Sequence, residues 1–259
     1  APGRHDGFVL HGRVPRRLRS TVPLGKRCAA MNLVVFDIDD TLTQTMEVDV
    51  ECLLQAVREL LTFDPSDLDW NDFPHVTSDG VLEVLYQRAF GRSPGPGDRQ
   101  AFLERSLELL DIAHRNDPTR FTAVPGAPEI LAHLVASPRW TVALATGAWR
   151  RTAEFKLDAA GLEHADLPFA SSDDHVTRAV IVQTAIDRAG RANGLPGGFD
   201  RVVAVGDGGW DVTTARALGL AFVGVGPPDR LETIGARVGV RDYTDAGRFM
   251  HLLETAPAL

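Results

Sequence analysis

The chain has 259 residues, 24% charged and 44% hydrophobic, with a formal net charge of −8. That length can bury a sizeable core and hold one large domain with an insert. Two cysteines, Cys28 and Cys52, exclude a disulfide framework or a cysteine-built zinc site, and the eight histidines show no metal-ligand spacing. No apolar run approaches the ~18 residues of a membrane span.

The charge is uneven. Seven of the 27 Lys/Arg and one of the 35 Asp/Glu fall in residues 1–30, which leaves 20 basic and 34 acidic residues in 31–259. An acidic body argues against nucleic acid as the main partner. Residues 1–30 lack apolar periodicity and read as a basic, disordered extension. An added tag or mis-assigned start before Met31, a native basic arm, and an organelle-type presequence all fit them. They lack the apolar core of a secretory signal, and a cytoplasmic protein is expected.

In chain order, an apolar run over 33–37 predicts a buried parallel strand. It runs into Asp37, Asp39, Asp40 and Thr41. Three carboxylates within four residues repel one another and are costly to desolvate, so a strand end gains nothing structural from them. A bound cation offsets the repulsion, and magnesium suits an all-oxygen site. Asp37 and Asp39 are spaced so that one can attack a reacting group while the other moves a proton.

Residues 47–120 contain no convincing parallel strand. Helices are predicted over Asp49–Leu61, Ser78–Phe90 and Arg99–Asn116, with a turn-rich stretch at Gly91–Asp98. This reads as a helical insert after the first strand, bounded by linkers near Thr43–Glu47 and Thr119–Val124. The core is then 31–46 with 121–259. In the insert, His75 and Thr77 lie in a polar segment suited to hydroxyls or phosphate, although Ser78 or Asp79 there would also serve as a helix cap.

Beyond the insert, strands at 141–145, 167–170, 202–206 and 220–225 alternate with helices at 127–137, 148–160, 177–190, 210–218, 229–236 and 245–254. This is an α/β pattern with a parallel, Rossmann-like sheet covered on both faces. The second of these strands to matter chemically, 202–206, ends in Gly206-Asp207-Gly-Gly-Trp210-Asp211, another acidic turn feeding a helix. Strand 141–145 ends in Thr146-Gly147 ahead of a helix N-terminus, where a hydroxyl suits a phosphate oxygen. Ligands of open parallel sheets sit outside the carboxyl ends of the strands, so these turns share one edge. Trp149 and Trp210 each follow such a loop and either line the mouth of the site or pack beneath the insert.

Asp37-x-Asp39-x-Thr41, Thr146 after its strand, and Gly206-Asp207-x-x-x-Asp211 resemble the signatures of the haloacid dehalogenase-like hydrolase superfamily, on its phosphatase side, over residues 32 to about 225. The resemblance implies a two-step phosphoryl transfer. Asp37 forms an aspartyl-phosphate, Asp39 acts as acid and then base, and Mg2+ is held by the Asp37 carboxylate, the Asp39 carbonyl and Asp207, with Asp211 close by. The helical insert would be a cap that closes over the site and selects a small phosphorylated metabolite. Asp40 stands where the family often has Gly and reads as a turn residue, and Thr41 either holds the loop or touches phosphate.

One signature departs from the pattern. Where the family places a Lys, this chain has Arg178; Lys156, on the preceding helix, is the other candidate. Arg178 is the preferred reading, although its planar fork is no equivalent of a compact ammonium. Phosphomutase shares every core residue. Dehalogenase chemistry needs no Asp39, Asp207 or Asp211, phosphonoacetaldehyde hydrolysis needs a cap Lys that 47–120 lack, and a non-catalytic phosphometabolite binder does not need both Asp37 and Asp39. Either a monomer or a homodimer is expected.

Overall fold

The computed structural model describes residues 31–61, 65, 73–195 and 198–259; the basic extension lies outside them. Six parallel strands form one sheet: β1 (Asn32–Phe36), β2 (Trp140–Ala145), β3 (Phe169–Ala170), β4 (Arg201–Gly206), β5 (Ala221–Val225) and β6 (Gly239–Val240). Their order is β3-β2-β1-β4-β5-β6, which puts β1 at the centre beside β2 and β4. This is the α/β, Rossmann-like arrangement expected.

Side chains of β1 alternate between two cores, as a strand covered on both faces requires. Val34 and Phe36 pack with α4 (Ala127–Val135), α5 (Arg150–Ala159) and α9 (Ala246–Thr255). Leu33 and Val35 face the other side, against Ile181, Val182 and Ala185 of α6 (Arg178–Ala192). On that side α7 (Gly209–Leu218) adds Val212 and Ala215 over Ala204 and Phe222.

Among the described residues, the segment between β1 and α4 forms three α-helices, α1 (Met46–Leu61), α2 (Ser78–Phe90) and α3 (Pro96–Asn116), with an apolar cluster of their own. Phe102, Leu85 and Val57 are fully buried in it, and Trp149 at the start of α5 packs into it. The chain leaves and re-enters the sheet layer along paired backbone. Gln44 N donates to Thr122 O at 2.8 Å, and Val124 N donates to Leu42 O at 2.9 Å.

Boundaries differ from the sequence pattern where local chemistry extends or ends an element. Helix α3 starts at Pro96 rather than Arg99, because Pro suits the first helical turn and the Asp98 carboxylate accepts from Gly95 N at 2.8 Å. Helix α1 starts at Met46 rather than Asp49. Strand β3 shrinks to two residues, and β6, too short for any alternation to show, was not expected. Helix α8 spans Pro228–Ile234.

Candidate active site

The backbone of β1 carries its ladder one residue past the strand: Asp37 N donates to Val205 O at 2.9 Å. That bond sets Asp37 beside Gly206 and Asp207 at the carboxyl edge of the sheet, at the point where strand order reverses. The chain then turns sharply. Asp40 takes φ 51, left-handed for a residue other than glycine, and Leu42 N and Thr43 N both donate to Ile38 O. The sequence reading of Asp40 as a turn residue agrees with this geometry.

On the β4 side, Asp211 folds back across its own turn and accepts from Gly208 N at 3.1 Å. A Cβ on Gly206 would collide with the Asp211 carboxylate, so glycine is required there. Asp37, Asp207 and Asp211, all buried, each present a carboxylate oxygen within 4.8 Å of the others. Thr41, fully buried, donates to Asp207 Oδ1 at 3.4 Å.

Both cations that the sequence offered as alternatives arrive, on different carboxylates. Arg178, the first residue of α6, donates through one nitrogen to Asp37 Oδ2 and Asp211 Oδ1, each at 3.1 Å. Its second terminal nitrogen lies against Gly147, where any Cβ would strike it. Gly147 therefore makes room for Arg178. Lys156, fully buried on α5, donates to Asp39 Oδ2 at 2.6 Å and pairs with Asp49 Oδ1 of α1 at 2.9 Å. The other Asp39 oxygen accepts from Thr45 at 2.6 Å.

Two participants carried no motif. Asp49 was read only as the start of a helix, and Arg230 of α8 was not singled out. Arg230 pairs with Asp207 and, at 3.2 Å, with Asp40. The available signal was position, since Arg230 follows β5 on the same sheet edge as the acidic turns.

Six carboxylates (Asp37, Asp39, Asp40, Asp49, Asp207, Asp211) thus meet three cations (Arg178, Lys156, Arg230). Fully ionised, the cluster holds an excess of three negative charges, and the protonation equilibria reflect it. Burial and the neighbouring Asp37 push Asp207 up to about 7. Burial and Asp37 likewise push Asp211 well above the usual carboxylate range. Burial also raises Asp37, with Asp39 adding to it and Arg178 opposing. Burial alone would lower Lys156, but Asp39 and Asp49 outweigh it and the ammonium is held firmly charged. Three buried oxygen donors with too little positive charge fit a hard divalent ion, and Asp37, Asp207 and Asp211 are the residues placed to hold one.

Above the cluster lies a cavity of about 340 Å³. Asp37, Asp39, Thr146, Gly147, Thr77, Arg178, Trp149 and Trp210 all reach it; His75 does not. Thr146 is buried and accepts from Ala148 N at 3.1 Å. Thr77, not Ser78 or Asp79, caps α2 by accepting from Gly80 N, and it donates to Val176 O. Trp149 is buried under the helical insert with its Nε1 donating to Asp79 at 2.9 Å. Trp210 stacks near the Arg178 guanidinium, 5.5 Å from ring centre to carbon. Among the described residues, two buried side-chain atoms have no hydrogen-bond partner, Arg178 Nε and Trp210 Nε1. Both are donors and both belong to residues of the cavity wall.

A parallel sheet with an acidic, cation-poor cluster at its carboxyl edge places this chain among α/β proteins that gather carboxylates at the strand ends. The family model for haloacid dehalogenase-like hydrolases matches residues 31–219, and the chain belongs to that family. Solved structures share the fold. A hydrolase from Pseudomonas syringae is 24% identical, with 88% of this chain and 99% of that one covered at a TM-score of 0.63. A protein from Bacteroides vulgatus provisionally named a β-phosphoglucomutase is 17% identical, with coverage of 88% and 90% and a TM-score of 0.61. One from Haemophilus somnus, provisionally named a phosphoglycolate phosphatase, is 15% identical, with coverage of 85% and 98% and a TM-score of 0.57. Comparison with the sequences of curated proteins finds no match. Among the described residues, no helix is long and apolar enough to cross a membrane.

Proposed function

We propose that this chain is a magnesium-dependent phosphatase acting on a small phosphate monoester through an aspartyl-phosphate. The observation that carries the reading is the pairing of Arg178 with both Asp37 and Asp211 on the floor of the cavity. A carboxylate nucleophile, a cation to receive phosphate oxygens and a divalent-metal set are thereby brought to one point. A carbon–halogen bond would need neither Asp39 nor the Asp207–Asp211 pair.

In the first step an Asp37 carboxylate oxygen attacks phosphorus, the ester P–O bond breaks, and Asp39 gives its proton to the departing alkoxide. In the second, water attacks phosphorus, the bond to Asp37 breaks, and Asp39 takes the water proton. The sum is ester plus water to alcohol plus phosphate. Arg178 and Thr146 hold equatorial phosphate oxygens, where transition-state charge is spread. Magnesium, when bound by Asp37, Asp207 and Asp211 with the Asp39 carbonyl, neutralises part of the charge that otherwise repels a phosphate dianion.

Residues 47–120 act as the cap over this site, hinged on the paired backbone at Leu42–Gln44 and Thr122–Val124. A roofed cavity favours a small metabolite over a phosphoprotein. Incubating the enzyme with magnesium and a panel of phosphate monoesters, with acid quench and mass analysis of the Asp37 peptide, tests the reading. Phosphate release with transient phosphorylation of Asp37 is expected. Turnover undiminished in excess chelator would overturn it.

A further inference from the structure

We infer that the cavity selects phosphate esters of apolar alcohols over sugar phosphates and over esters carrying a second anionic group. This rests on the phosphatase reading of the same site. Met46, Val50 and Leu53 lie on one face of α1 at helical spacing and line the cavity, yet each stays only partly buried. Their apolar surface therefore looks into open space. Val81 of α2 and Leu110 of α3 continue the wall.

Several of the hydroxyls among them are tied to the fold. Thr77 donates to Val176 O, Ser106 to Phe102 O and Thr152 to Trp149 O. Sugar hydroxyls entering here would exchange water for a wall that is mostly hydrocarbon, where Ser78 and Asp49 leave them few partners. A second anion fares worse. Among the described residues that line the cavity, Arg178 is the sole cation, and it sits on the floor with Asp37 and Asp211. Asp49 is the charged group contributed by α1. Residues 62–64 and 66–72, the remainder of the insert, contain no Lys, Arg or His. The substrate left by elimination pairs one phosphoryl group with a compact hydrocarbon tail.

Binding of phosphonates separates this inference from the reaction. In calorimetry with magnesium present, methyl-, propyl- and hexylphosphonate should form a ladder. Affinity should rise about three- to fourfold per methylene until the cavity fills. 2,3-Dihydroxypropylphosphonate should bind at least about tenfold more weakly than propylphosphonate, since its hydroxyls lose water to a mostly apolar wall. A flat ladder, or tighter binding of the dihydroxy compound or of phosphonoacetate, would overturn the inference. Leu53→Asn places an amide on the wall at a partly exposed position. It should weaken hexylphosphonate about tenfold and methylphosphonate much less, in a protein that melts like the parent. An intact ladder in that variant would also count against it. If the ladder appears but hexyl phosphate is not hydrolysed, the phosphatase reading fails and the ligand class stands. If esters are hydrolysed without a ladder, the ligand class alone fails.

Discussion

The floor of the cleft concentrates six carboxylates and three cations at the ends of β1 and β4, the first turns of α1, α6, α7 and α8, and the last turn of α5. Its roof, built by α1, α2 and α3, turns Met46, Val50, Leu53, Val81 and Leu110 toward the same space. The floor is held in an unfavourable electrostatic state that chemistry can use, since a group whose protonation is suppressed by solvation elsewhere is here tuned by its neighbours. The roof does the opposite and excludes water, which strengthens every charge interaction beneath it. Substitutions on the floor should therefore alter rate, and substitutions on the roof should alter choice of ligand.

The largest effect expected is on the floor. Asp37→Asn should lower kcat by about 10³-fold or more, because it removes the carboxylate proposed as nucleophile. Its melting temperature should equal or exceed the parent's, since one charge leaves a crowded set. Steady-state kinetics beside a thermal melt reads both, and activity within tenfold of the parent would break the covalent scheme.

Lys156→Ala sharpens the link between floor and roof. It leaves the buried carboxylate of Asp39 and the half-buried one of Asp49 without their shared cation, which should destabilise the fold by about 2–4 kcal/mol. Denaturant unfolding measures this, and a change below about 1 kcal/mol would show that the pairing is incidental. Arg178→Ala should lower kcat/KM by about tenfold to a few hundredfold, the worth of one charge-assisted phosphate contact at roughly 1.5–3 kcal/mol. Arg178→Lys should restore part of it.

A smaller effect is expected from pH. Asp207 titrates near 7 in the folded, metal-free protein and near 3.8 when exposed. Between those values the folded state binds the extra proton, so this group's contribution to stability falls as pH rises from about 4 to 7 and levels off above. Magnesium needs the deprotonated form. Its stabilising shift in melting temperature should therefore grow through pH 7, and a shift independent of pH from 5 to 9 would remove Asp207 from the metal set. At the low end, His75→Ala should change kcat/KM by less than about twofold, because His75 stays outside the cavity.

The floor was far more legible in the sequence than the roof. Asp37, Asp39 and Asp207 stand at strand ends and Asp211 one turn further on, where continuous apolar runs fix both position and edge. Arg178 and Lys156 were legible as residues but not as a division of labour, since which carboxylate each would meet depends on how α5 and α6 pack. Asp49 and Arg230 carried no motif because their role comes entirely from long-range folding. In the roof, helical periodicity announced three helices, yet it could not distinguish apolar residues that fill the insert's own core from those that face the cavity. Val57 belongs to the first kind and Leu53 to the second, four positions apart on one helix. Trp149 shows the same ambiguity, serving both.

Asp40 is the described residue other than glycine with left-handed backbone, a conformation that costs roughly 1–2 kcal/mol and that glycine would adopt freely. Its side chain reaches Arg230, which also holds Asp207. A guanidinium with two carboxylate partners can release one and remain paired. The strained turn thus anchors Arg230 at the edge of the site through a second carboxylate, so that its place there does not depend on Asp207 alone.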